Sequence, residues 1–131
     1  MSLISADTVI TGLLRTPEGD YRRGAVAITG GTITDVVPGE PGRIDGRHVD
    51  AGDSYVLPGA VDAHVHSYSH TGEGLRASTS AAAAGGVTTI VEMPFDGTGP
   101  INDRDRLAAK QDILANEAVV DVALLGTLEP G

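Results

Sequence analysis

Three apolar, β-branched runs, at residues 60–66, 87–93 and 119–125, alternate with two segments of helical composition. Residues 75–84 are rich in Ala and end at Gly85-Gly86, a left-handed stop. A second helix is predicted from an N-cap at Asn102, through Asp103 and Asp105 in its first turn, to about residue 116. The order strand, helix, strand, helix, strand constrains the fold more than any other feature. Strands joined in this way run parallel through crossover helices. They read as apolar runs when both sheet faces are covered. Three strands cannot close a barrel, and an open sheet of that size has long bare edges. The expectation is the front part of a larger α/β domain.

The residues before this region read differently. Short strands are predicted at 8–11, 25–29, 32–37, 48–50 and 55–57, with no helical period between them. Gly30-Gly31 suits a two-residue hairpin, which needs φ > 0 at both positions. Residues 38–42 form a Pro- and Gly-containing loop. The pattern changes at Pro58-Gly59, so residues 1–57 are expected as a β-rich segment and 58–131 as βα units.

Composition narrows the function. The 131 residues carry 18 acidic and 9 basic side chains, a formal charge of −9, which argues against nucleic acid or an anionic membrane as partner. Aromatics make up 3% of the chain, with no Trp, so base stacking is not expected either. No apolar run is long enough to cross a bilayer, and the N-terminal residues lack a basic segment followed by an apolar core, so a signal peptide is not expected. Cys is absent, which removes thiolate ligands and fits a reducing compartment; a cytoplasmic location is the expectation.

The chemistry concentrates in "VDAHVH", residues 61–66. In a strand, Asp62, His64 and His66 share one face, while Val61, Ala63 and Val65 share the other. Same-face neighbours stand about 6.5–7 Å apart at Cα, so both imidazoles can reach one metal ion. The pair closes a strand and opens the polar loop 67–74, on the side where parallel sheets place ligands. Asp62, one step back, is a candidate outer-sphere acceptor orienting a ligand, or else a member of a buried polar network.

"VLPGAVDAHVH" resembles the amidohydrolase superfamily, in which a strand ending in H-x-H opens a metal-binding (β/α)8 barrel. "AAAAGGVTTIVEMP" is similar to its cyclic-amide hydrolases: allantoinases, dihydroorotases and hydantoinases. The resemblance implies an α/β fold, the N-terminal part of a TIM-like barrel, preceded by strands of a small β-sandwich. It implies a pair of divalent metals, usually Zn²⁺, with His64 and His66 as ligands of the more buried ion. It also implies a bridging lysine and a general base, both expected beyond Gly131. Lys110, in the second helix, does not match the bridging lysine. The implied partners are a small cyclic amide or ureide, the rest of the polypeptide, and further copies in a homo-oligomer.

Two loops depart from the family. "SYSHTGEG", residues 67–74, replaces an E-P-G-R-like stretch and brings no Arg before Arg76. Phe95-Asp96 follows the M-P of the second strand, where allantoinases carry L-N. An acidic Asp96 there is expected to repel a substrate carboxylate instead of donating a hydrogen bond to it. His70 and Asp96 are the candidate substrate contacts. His48 is expected to be structural, and Glu92 a buried acid. The expected activity is metal-dependent hydrolysis of a cyclic amide, complete only with later strands. Alternatives are another amidohydrolase activity (deaminase, deacetylase or isoaspartyl-type peptidase) or a non-enzymatic relative.

Overall fold

Where the sequence predicts short strands, the first sheet has long ones. In the computed structural model, which describes residues 3–69 and 72–128, four strands cover most of the first unit. They are β1 (Leu3–Arg15), β2 (Tyr21–Thr29), β3 (Thr32–Pro38) and β4 (Arg43–Tyr55), in the sheet order β3-β2-β1-β4. β1–β2 and β2–β3 pair antiparallel, whereas β1–β4 is parallel. The predicted strand at 48–50 lies within β4, whereas of the one predicted at 55–57 only Tyr55 does, because β4 ends there.

Bulges carry these strands through residues that look like breaks. Between Ser5 and Thr8, β1 advances three residues while β4 advances two. Gly46 lies opposite with φ +134°, and a Cβ on it would fall 1.8 Å from the Ala6 carbonyl oxygen. At the β2–β3 turn, Gly30 and Gly31 have φ of 58° and 76°, the geometry of the expected two-residue hairpin. Ile4, Val9, Ala25 and Ala27 form the core, flanked by Ala6, Val37 and Ile44.

The second unit begins at Gly59. It contains β5 (Ala60–Val65), α1 (Leu75–Ala84), β6 (Val87–Glu92), the short pair β7 (Phe95–Asp96) and β8 (Gly99–Pro100), α2 (Arg104–Glu117) and β9 (Asp121–Leu124). The three longer strands form a parallel sheet in the order β5-β6-β9. Gly86, with φ +80°, is the left-handed residue after α1; Gly85 stays right-handed. The N-cap of α2 is Asp103, not Asn102: its carboxylate accepts the Arg106 N–H at 2.8 Å. Asp103 stands one residue nearer the first turn, with the extended backbone that a cap requires.

The expectation that both sheet faces are covered is met on one face of β6 only, the opposite face, with Thr89 and Val91, being half-buried. Ile90 and Glu92 are buried there, while β5 is exposed along most of its length and Val61 is 64% exposed. Among the described residues, no helix is long and apolar enough to cross a membrane.

Candidate metal centre

β5 does not keep strict alternation to its end. Asp62 pairs with Ile90 and Val65 with Glu92, so three residues of β5 advance against two of β6. This is a bulge, and Asp62 Oδ1 accepts the His64 backbone N–H across it at 3.1 Å. Asp62 therefore holds a ligand candidate by its main chain and not, as the strand pattern suggests, by its imidazole. Beyond the bulge the two imidazoles converge. His64 Nε2 lies 3.1 Å from His66 Nε2, the ring centroids are 5.1 Å apart, and both residues are exposed.

His66 is also gripped from its other side. Its Nδ1 lies 2.8 Å from Ser69 Oγ, and that hydroxyl donates to the Phe95 carbonyl at 2.8 Å. The loop after β5 is thus tied to the β7–β8 hairpin, and Gly97 N–H donating to the Tyr68 carbonyl at 2.9 Å adds a second tie. The loop after β5 and the loop after β6 are in direct contact.

Beneath the histidines lies a buried polar cluster. Glu92 is fully buried, and its two oxygens accept the Ser67 N–H at 3.0 and 3.1 Å. Ser67 Oγ donates to Oε2 at 2.8 Å and accepts from Ser78 Oγ at 2.7 Å. Lys110 Nζ, 3% exposed, reaches Glu92 Oε1 at 3.4 Å and Asp96 Oδ1 at 2.5 Å. Ser67 directly follows His66, so Glu92 fixes the backbone from which that imidazole hangs. The Tyr68 ring lies 5.9 Å from Nζ, and its phenol donates to Glu117 at 3.4 Å. Burial, and then the negative charge of Glu117, push that phenol above its usual value.

Asp96 is consequently not a bare negative charge. Its carboxylate is engaged by Lys110, which removes the repulsion expected from an unpaired aspartate. His70 lies outside the described residues. His48 sits in the first sheet, where Thr11 Oγ1 lies 2.9 Å from its Nε2 and donates to Asp50 at 3.2 Å. Sequence reasoning missed the roles of Ser67, Ser69 and Lys110. Lys110 had a signal: it falls between Leu107 and Leu114 on one helical stripe, and a charge in such a stripe needs a partner.

The donor set fits a divalent ion in part. Two nitrogens each about 2.0–2.1 Å from a tetrahedral zinc ion stand about 3.3 Å apart, close to the 3.1 Å between these rings. Neutral imidazole is a suitable donor. Two donors are fewer than the three that catalytic zinc usually takes, and the described residues contain no group of three or more His, Asp or Glu placed to hold an ion.

The class that these observations define is an α/β chain with paired imidazoles at the carboxyl end of a parallel strand. An allantoinase of Streptomyces avermitilis is 42% identical over 120 residues, covering 88% of this chain and 26% of the relative. An allantoinase of Bacillus velezensis is 33% identical, over 95% of this chain and 28% of its own. The L-hydantoinase (dihydropyrimidinase) from Arthrobacter aurescens superposes with a TM-score of 0.83 at 27% identity, covering 96% of this chain and 29% of that one. No protein-family model matches. Over most of its own length the chain is similar to cyclic-amide hydrolases of the amidohydrolase superfamily, and it spans about a quarter of the length of the curated relatives it matches.

Proposed function

We propose that this chain supplies the opening βα units of a (β/α)8 barrel and strands of a β-sandwich in a metal-dependent hydrolase of a cyclic ureide, with an allantoin-type ring as the preferred substrate. The observation that carries the reading is the convergence of His64 and His66 Nε2 at 3.1 Å, on the ligand-binding side of a parallel sheet. His64 and His66 are the proposed ligands, and the identity of the relatives supports the ring class. A divalent ion, zinc by preference, supplies Lewis acidity to the amide carbonyl and lowers the pKa of a water nucleophile. The overall reaction adds water across the C–N bond: the carbonyl carbon takes the hydroxyl, the ring nitrogen takes a proton, and the ring opens to a carboxylate.

This chain's own residues position and shape. Asp62 and Glu92 hold the backbone on either side of the two imidazoles, and Ser69 holds the His66 ring. Residues 67–74 and 94–100 contain no Lys or Arg to pair with a substrate carboxylate. Lys110 is occupied by Glu92 and Asp96, and Arg76 donates to the Asn116 carbonyl at 3.2 Å. The preference for a neutral ring therefore rests on the missing cation alone, with no repulsive contribution from Asp96. Losing a charge-assisted contact costs about 1.5–3 kcal/mol, roughly one to two powers of ten in kcat/KM. A steady-state comparison of allantoin, hydantoin, dihydrouracil and dihydroorotate on the intact protein tests this. The neutral rings are expected to exceed dihydroorotate by that factor, and dihydroorotate as the best substrate would refute the reading.

A further inference from the structure

We infer that Ser69 is a positioning residue that fixes the His66 imidazole as the tautomer with its proton on Nδ1, leaving the Nε2 lone pair directed at His64. The assignment follows from donors and acceptors. A carbonyl oxygen can only accept, so the 2.8 Å contact from Ser69 Oγ to the Phe95 carbonyl uses the single hydroxyl proton. The contact of 2.8 Å between Ser69 Oγ and His66 Nδ1 must then be an N–H donated to the hydroxyl oxygen. A neutral imidazole carries one proton, so Nε2 is left as an acceptor.

The two histidines are consequently unequal. With His66 Nε2 an acceptor, any hydrogen bond across the 3.1 Å gap is donated by His64 Nε2. A cation between the rings requires His64 to move its proton to Nδ1, whereas His66 is already in the ligating form. The Phe95 carbonyl that starts the chain of bonds belongs to the β7–β8 hairpin, which Lys110 anchors through Asp96. Ser69 lies within "SYSHTGEG", the loop between β5 and α1.

The inference deepens the metal reading but rests on it only for its second test. The first uses intact protein, metal-free, with ¹⁵N-labelled histidine, and long-range ¹H–¹⁵N correlations of the His66 ring. Wild type and Ser69→Thr, which keeps the hydroxyl, are expected to carry the proton on Nδ1. Ser69→Ala is expected to shift His66 toward the Nε2-protonated form. A wild-type proton on Nε2, or an unchanged tautomer in Ser69→Ala, overturns the inference. Should Ser69→Ala not fold, the wild-type spectrum decides alone. The second test is zinc affinity by chelator competition. Ser69→Ala is expected to bind about 10–100-fold more weakly, the usual loss when a ligand's outer partner is removed, with Ser69→Thr close to wild type. If no variant binds zinc but the tautomer responds as described, the metal reading fails and the role of Ser69 stands.

Discussion

Lys110 is the only lysine in the chain, and it is 3% exposed against two carboxylates. Two acids and one ammonium leave a net charge of −1 in a cluster that holds Ser67, the residue after His66. Removing the cation strands a fully buried Glu92 beside Asp96. Breaking a buried pair in this way costs about 3–5 kcal/mol. Lys110→Met is therefore expected to destabilise the intact protein by that amount, read from denaturant unfolding; a loss below about 1 kcal/mol, the worth of a surface pair, would contradict the burial argument. Tyr68 gives a pH dependence. Its phenol is raised from 10.0, mainly by burial, so the folded state keeps the proton to higher pH than the unfolded chain does. That contribution is complete below about pH 10 and is lost as pH rises through the folded value. Tyr68→Phe should flatten the fall of Tm on the alkaline side, measured by thermal melts across that range. The convergence of the His64 and His66 rings was legible in the sequence because it is local, two imidazoles at strand spacing. The partners of Lys110 and Ser69 were not, since both depend on which loop lies across from them.

At the scale of elements, the second half of the chain was legible and the first half only in part. Helical composition, the Gly85-Gly86 stop and the apolar runs located α1, α2, β5, β6 and β9 within a few residues. The cap of α2 was misplaced by one position because Asn102 and Asp103 are both good caps, and only the backbone turn chooses between them. In the first sheet, glycines and acidic residues inside β1 and β4 read as breaks, whereas bulges absorb them. Gly46 shows why this is costly to disturb. Its φ of +134° disfavours any side chain, and a Cβ would meet the Ala6 carbonyl. Gly46→Ala is expected to destabilise the first sheet by about 1–3 kcal/mol, seen as a lowered unfolding midpoint. A variant as stable as wild type would mean that the β1–β4 register is not the one described. The bulge in β5 had no signal in the sequence: "VDAHVH" alternates cleanly, yet its register shifts by one residue before His66.

For the molecule as a whole, the 131 residues form two units, and among the described residues of the second both β5 and β9 pair on one side only. Val61 and Phe95 are at least 60% exposed. A three-stranded parallel sheet with such edges is a poor folding unit. The 131-residue polypeptide alone is therefore expected to lack a cooperative thermal transition, and a sharp calorimetric peak would overturn that expectation. Metal content tests most directly whether His64 and His66 hold an ion. Intact wild-type protein, purified without chelator and measured by plasma emission spectroscopy, is expected to carry stoichiometric divalent metal. The His64→Ala, His66→Ala double variant, checked for folding by circular dichroism, is expected to have lost most of it. Undiminished metal in a folded double variant would contradict the account.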